Sequence, residues 1–119
     1  MTAAADTGVS LKERKAEARK NFLAARKSIA PETRRRADKA ICERLLSLPE
    51  TAGAEAVAAY LTDGSEPDLR IFLEAFLKRG GRLCLPRASD SGAGYEMAWA
   101  ESLDRGIIPG PHGIPEPGP

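Results

Sequence analysis

Residues 54–86 place an apolar run, an amphipathic helical stretch and a second apolar run in direct succession, and no other feature restricts the fold as much. Residues 54–61 (AEAVAAYL) are short and apolar enough for a buried strand. Residues 62–65 (TDGS) read as a turn. Glu66-Pro67-Asp68 then opens a helix whose core face is Leu69, Phe72, Leu73, Phe76 and Leu77, the i, i+3, i+4, i+7, i+8 stripe in full. Lys78 and Arg79 suit the negative end of that helix, and Gly80-Gly81 terminates it. Residues 82–86 (RLCLP) supply the second strand. Strand, helix and strand in this order demand parallel strands and a right-handed crossover, hence an α/β fold. Residues 95–100 (YEMAWA) alternate and predict a third strand. Its Tyr95, Met97 and Trp99 share one side and read as core, the other reading being the wall of a pocket for a flat aromatic ligand. Beyond Asp104 periodicity ends. Nine of the 14 residues from 106 to 119 are Gly or Pro, which predicts a loop.

Two helices precede this unit. Residues 1–9 read as a disordered tail. Ser10 with Glu13 forms a capping box, so a helix is expected from Leu11, with Leu11, Ala18, Phe22, Ala25 and Ile29 on its apolar side. Lys15 interrupts that stripe, and Arg19 lies one turn further on the same face. Two cations so spaced can grip a phosphate chain, Lys as a point charge and Arg as a fork. The competing reading is a solvated face in a segment rich in both residues. Ala30-Pro31-Glu32 breaks this helix and starts the next, whose expected stripe is Ala37, Ile41, Leu45 and Leu48. Arg34-Arg35-Arg36 reads as a solvated face, because Glu32 and Asp38 flank it and no aromatic is interleaved for base stacking.

Charge narrows the function classes. The 119 residues hold Lys+Arg 18 against Asp+Glu 17, a net charge of +1 that argues against a dedicated nucleic-acid binder. The balance hides a polarity: residues 12–44 hold 12 basic and five acidic residues, and the rest of the chain six and 12. No apolar run is long enough to span a membrane. The opening Met-Thr-Ala-Ala-Ala-Asp has no secretory pattern, and Cys42 and Cys84 stand apart as thiols, so a cytoplasmic location is expected. Cys42, Cys84 and His112 lack metal-ligand spacing, and no nucleophile–base–orienter set forms around His112. Accordingly, no catalytic residue and no metal ligand is assigned. Glu66 stands where a strand gives way to a helix, the position at which parallel sheets bind ligands. Its carboxylate can accept a ligand N–H, or it can cap the helix together with Ser65. For Asp68 charge–dipole support of the helix start is preferred.

Taken together these residues resemble the 5-formyltetrahydrofolate cyclo-ligase family, also called methenyltetrahydrofolate synthetases. The resemblance is carried by Lys15-Ala-Glu-Ala-Arg19 with Leu23-Ala-Ala-Arg26 and Ile29-Ala-Pro-Glu-Thr-Arg34, and by Val57-Ala-Ala-Tyr-Leu61 with Gly64-Ser-Glu66-Pro-Asp68. Gly80-Gly-Arg-Leu-Cys-Leu-Pro86-Arg87 and Gly113-Ile-Pro-Glu-Pro117 complete it. It implies a three-layer α/β/α sandwich with a largely parallel sheet, here two helices followed by β-α-β-β, with residues 10–119 as the N-terminal part of one domain. It implies an ATP- and magnesium-dependent ligase that closes 5-formyltetrahydrofolate to 5,10-methenyltetrahydrofolate, releasing ADP and phosphate. The residues it implies are Lys15 and Arg19 for ATP phosphates and Leu61, Glu66, Met97 and His112 for folate. For the complete enzyme a monomer without nucleic-acid or membrane partners is expected.

The family pattern continues past its Gly-Ile-x-Glu-Pro stretch into a glycine-rich loop that holds nucleotide phosphates and leads to a magnesium ligand. Pro119 precedes that loop, so a truncated, inactive chain is expected, since phosphoryl transfer depends on positioning and charge neutralisation. Two other readings remain open. One is a non-catalytic module in which the basic helical hairpin binds a partner. The other is a sugar-phosphate or acyl-transfer enzyme of similar architecture, which rests on fold analogy alone.

Overall fold

The computed structural model describes residues 10–92 and 94–119. The tail expected at residues 1–9 lies outside the described residues. The chain divides into two compact units, residues 1–30 and residues 31–119.

The first unit is one helix, α1 (Leu11–Lys27). Ser10 sits at its N-cap in extended conformation, and its hydroxyl accepts a hydrogen bond from the Glu13 N–H at 3.1 Å, half of the expected capping box. At the other end the Ser28 N–H turns back to the Ala24 and Ala25 carbonyls.

The second unit runs α2 (Pro31–Ser47), α3 (Pro49–Ala52), β1 (Ala56–Ala58), α4 (Arg70–Lys78), β2 (Arg82–Ala88), β3 (Tyr95–Ala100), β4 (Ile107–Ile108) and β5 (Glu116–Pro117). The fold is α/β. Strand order in the main sheet is β1-β2-β3. β1 and β2 are parallel with α4 as their crossover, as the strand–helix–strand succession requires. β2 and β3 are antiparallel, from Leu83↔Ala100 to Ala88↔Tyr95, because the connection between them is long enough only for a hairpin.

α4 buries Phe72, Leu73 and Phe76 against Leu83 and Leu85 of β2, and Leu61, Ala100 and Leu103 complete the core. Gly81 makes the helix-to-strand step possible: a Cβ there would stand 2.3 Å from the Phe76 ring. β1 is shorter than the apolar run 54–61, and Pro86 accounts for its end. The parallel ladder steps from Arg82 N–H→Glu55 C=O to Ala59 N–H→Cys84 C=O. The next rung needs an N–H at position 86, which proline lacks. The chain therefore peels away after Ala59 and enters the loop of residues 61–68.

Three expectations are corrected. The packed face of α2 carries Arg34, Asp38, Cys42 and Leu45, with Cys42 fully buried and Ile41 exposed. It is rotated from the predicted Ala37/Ile41 stripe because the small thiol fits under the loop, where its Sγ lies 3.5 Å from the Asp68 carbonyl. Tyr95, Met97 and Trp99 are not core: they are 49%, 51% and 54% exposed, on the face of β3 opposite α4. Trp99 is instead covered in part by the Arg82 guanidinium, 3.7 Å above its ring. Residues 106–119 are not all loop: Ile107↔Pro117 and Ile108↔Glu116 form a two-residue ladder. Among the described residues no helix is long and apolar enough to cross a membrane.

Candidate functional site

The loop of residues 61–68 stands at the carboxyl end of β1, and its own side chains build it. The Thr62 hydroxyl donates to the Glu66 carbonyl at 3.0 Å and accepts from the Gly64 N–H at 3.0 Å. The Asp63 carboxylate accepts from both the N–H and the hydroxyl of Ser65, at 2.9 and 2.8 Å. Gly64 takes a φ of +109°, open to glycine and strained for side-chain-bearing residues. The Tyr60 hydroxyl donates to the Pro67 carbonyl at 3.0 Å and closes the far side.

Glu66 is held within this cage by one oxygen. Its Oε1 accepts from the Asp63 N–H at 3.1 Å and lies 3.3 Å from the Thr62 hydroxyl. Among the described residues its Oε2 has no hydrogen-bond partner, so one carboxylate oxygen is oriented and the other is left to accept a donor from outside. The capping alternative fails for Glu66 and Ser65, because α4 starts only at Arg70. Leu69 stands at the N-cap without a side-chain cap bond, and Asp68, just before it, accepts through Oδ1 from the Arg70 N–H at 2.9 Å. Leu61 at the head of the loop is 6% exposed and belongs to the core.

Met97 and His112 lie at the same end of the sheet as this loop, since β3 runs antiparallel to β2 and starts where β1 and β2 finish. His112 sits beside Tyr95, with ring centroids 6.3 Å apart. Met97 follows Tyr95 on the same exposed face of β3. The segment that carries His112 is fixed by Glu116, a buried carboxylate whose Oε2 accepts from the Ala88 N–H at 3.0 Å. Arg87 adds a bond to the Gly118 carbonyl at 3.2 Å.

Lys15 and Arg19 belong to the other unit and stand one turn apart on α1. Among the described residues neither makes a hydrogen bond or an ion pair, so both charges are available to an anion. That donor set suits the phosphates of a nucleotide. Among the described residues no group of three His, Cys, Asp or Glu that could hold a metal gathers.

Sequence reasoning missed one residue of the site. Arg34, read as solvated, reaches from α2 to the loop and donates through Nη1 to the Ser65 carbonyl at 3.0 Å and toward the Gly64 carbonyl at 3.4 Å. Its neighbour Arg35 does lie on the helix surface, paired with Glu32. The signal that separates them is spacing: 34, 38, 42 and 45 fall on one helical face with the buried thiol.

The 5-formyltetrahydrofolate cyclo-ligase family model matches residues 11–119. Among solved structures the chain is similar to the NMR structure of Aquifex aeolicus 5,10-methenyltetrahydrofolate synthetase, with 30% sequence identity and a TM-score of 0.70. The match covers 88% of this chain and 53% of that one, so the chain spans about half the length of that relative. No curated protein matches the chain.

Proposed function

The chain belongs to the 5-formyltetrahydrofolate cyclo-ligase family, and from that premise we propose that the protein closes 5-formyltetrahydrofolate to 5,10-methenyltetrahydrofolate, using ATP with magnesium and releasing ADP and phosphate. The observation that carries this reading is the family match over residues 11–119. In this reaction the formyl oxygen takes the terminal phosphoryl group of ATP. The second folate nitrogen then attacks the formyl carbon, and phosphate leaves with that oxygen. Magnesium would neutralise phosphate charge when bound.

The roles follow the chemistry of each group. Lys15 and Arg19 hold the ATP phosphates, and the absence of any hydrogen bond or ion pair to them among the described residues supports this assignment. Glu66 accepts an N–H of the folate ring system through Oε2 while Oε1 stays bound to the Asp63 N–H. An acceptor oriented in advance loses less freedom on binding. His112 and Met97 flank the flat ring system. Leu61, being buried, supports the loop from beneath. Residues 10–119 form part of one cyclo-ligase domain, and the reaction belongs to a cytoplasmic monomer.

The test is folate-dependent ADP release by the whole protein, with KM measured separately for each substrate. Glu66→Gln raises the folate KM about tenfold, the equivalent of about 1.4 kcal/mol, and leaves the ATP KM unchanged. Lys15→Ala combined with Arg19→Ala does the converse. An unmodified protein that releases no ADP in response to 5-formyltetrahydrofolate overturns the reading, and so do variants that shift both KM values together.

A further inference from the structure

We propose that Arg34 is a positioning residue for Glu66: from α2 it fixes the loop that presents the carboxylate, and so sets affinity for folate without touching it. This rests on the reading of Glu66 as the folate acceptor.

The loop leaves the sheet where Pro86 ends the ladder, so its carbonyls have no strand to pair with. Ser65 is 5% exposed, and its N–H and hydroxyl are both taken by Asp63. That leaves its carbonyl, one peptide before Glu66, in need of a donor, since an unpaired buried carbonyl is costly. Arg34 supplies it. Its charge persists at any physiological pH, and its Nη1 addresses two successive carbonyls, Ser65 at 3.0 Å and Gly64 at 3.4 Å. Those carbonyls define the plane of the chain that enters Glu66. The carboxylate then folds back onto the Asp63 N–H. Arg34, the 63–65 turn and Glu66 Oε1 thus form one chain of bonds, and releasing its first link leaves Oε2 without a fixed direction. A small error in the placement of a binding group lowers affinity well beyond the energy of the bond lost.

The first measurement is amide hydrogen exchange by NMR. Arg34→Ala raises exchange at the Asp63 and Ser65 amides at least about tenfold and leaves the Ala59 amide, bonded to the Cys84 carbonyl, unchanged. Arg34→Lys keeps a charged donor on a shorter stem and recovers part of the protection. The second is kinetic, on the whole protein. Arg34→Ala raises the folate KM about tenfold with kcat and the ATP KM unchanged, and adds nothing further in a Glu66→Gln background. Unaltered exchange at Asp63 and Ser65 overturns the proposal. So does an equal increase at Ala59, which marks general unfolding, or a full additive effect on Glu66→Gln. Should Glu66→Gln itself leave the folate KM untouched, the folate reading fails, while exchange still decides whether Arg34 holds the loop.

Discussion

α1 and α2 are each 17 residues long and rich in Lys and Arg, yet they use their cations in opposite ways. α1 buries no residue, and among the described residues its Lys15 and Arg19 bond to nothing. α2 buries Cys42, spends Arg34 on two loop carbonyls and pairs Arg35 with Glu32 on its surface. α1 carries seven basic and two acidic residues, α2 five and three, so both are basic helices. The lesson is that a basic helix does not declare which cations are committed to the fold and which remain for a ligand. The packed face decides it, and a run such as residues 34–36 can hold both kinds.

The contrast can be broken most sharply at the buried thiol. Cys42→Asp puts an unpaired carboxylate in the core and costs roughly 3–5 kcal/mol, whereas Phe22→Asp on α1 changes stability by less than about 0.5 kcal/mol. Thermal melting of the two variants checks this, and equal losses abolish the distinction between the helices. A smaller effect sharpens it within α2. Arg34→Ala lowers the local stability of the loop of residues 61–68 by about 1–2 kcal/mol, the scale of hydrogen bonds from a charged donor, and Arg36→Ala changes it by less than about 0.5 kcal/mol. Amide exchange at Ser65 separates them. The smallest effect belongs to α1 alone: Ser10→Ala removes the cap on the Glu13 N–H and costs that helix about 1 kcal/mol, read as lost helical circular dichroism.

The regular elements were legible in the sequence where periodicity is long and one-sided. The stripe of Leu69, Phe72, Leu73, Phe76 and Leu77 predicts α4, and Phe72, Leu73 and Phe76 are its buried residues. Ser10 and Glu13 place the start of α1. What failed depended on surroundings that no local pattern encodes. Hydropathy favours Ile41 over Cys42, but the space beneath the Asp68 carbonyl suits a thiol. Strand alternation in β3 defines two faces without saying which one a helix covers, and Tyr95, Met97 and Trp99 stand on the uncovered one. The ladder of β4 with β5 is too short to leave a period. In the site, Glu66 stood out because it follows a strand. The oxygen that holds it and the arginine that steadies its loop come from contacts across the fold, with Arg34 31 residues from Ser65.

Pro86 has a consequence beyond ending the ladder. A strand that exposes free N–H groups along its side is a template on which a stray segment of another chain can add itself, the first step of β-aggregation. On its β1 side the Arg82 N–H is held by the Glu55 carbonyl and the Cys84 carbonyl by the Ala59 N–H, and Pro86, the next donor position, has no hydrogen to give. The residue that frees the chain to make the ligand-facing loop therefore also leaves that stretch of the sheet chemically blunt toward its neighbours in a crowded solution.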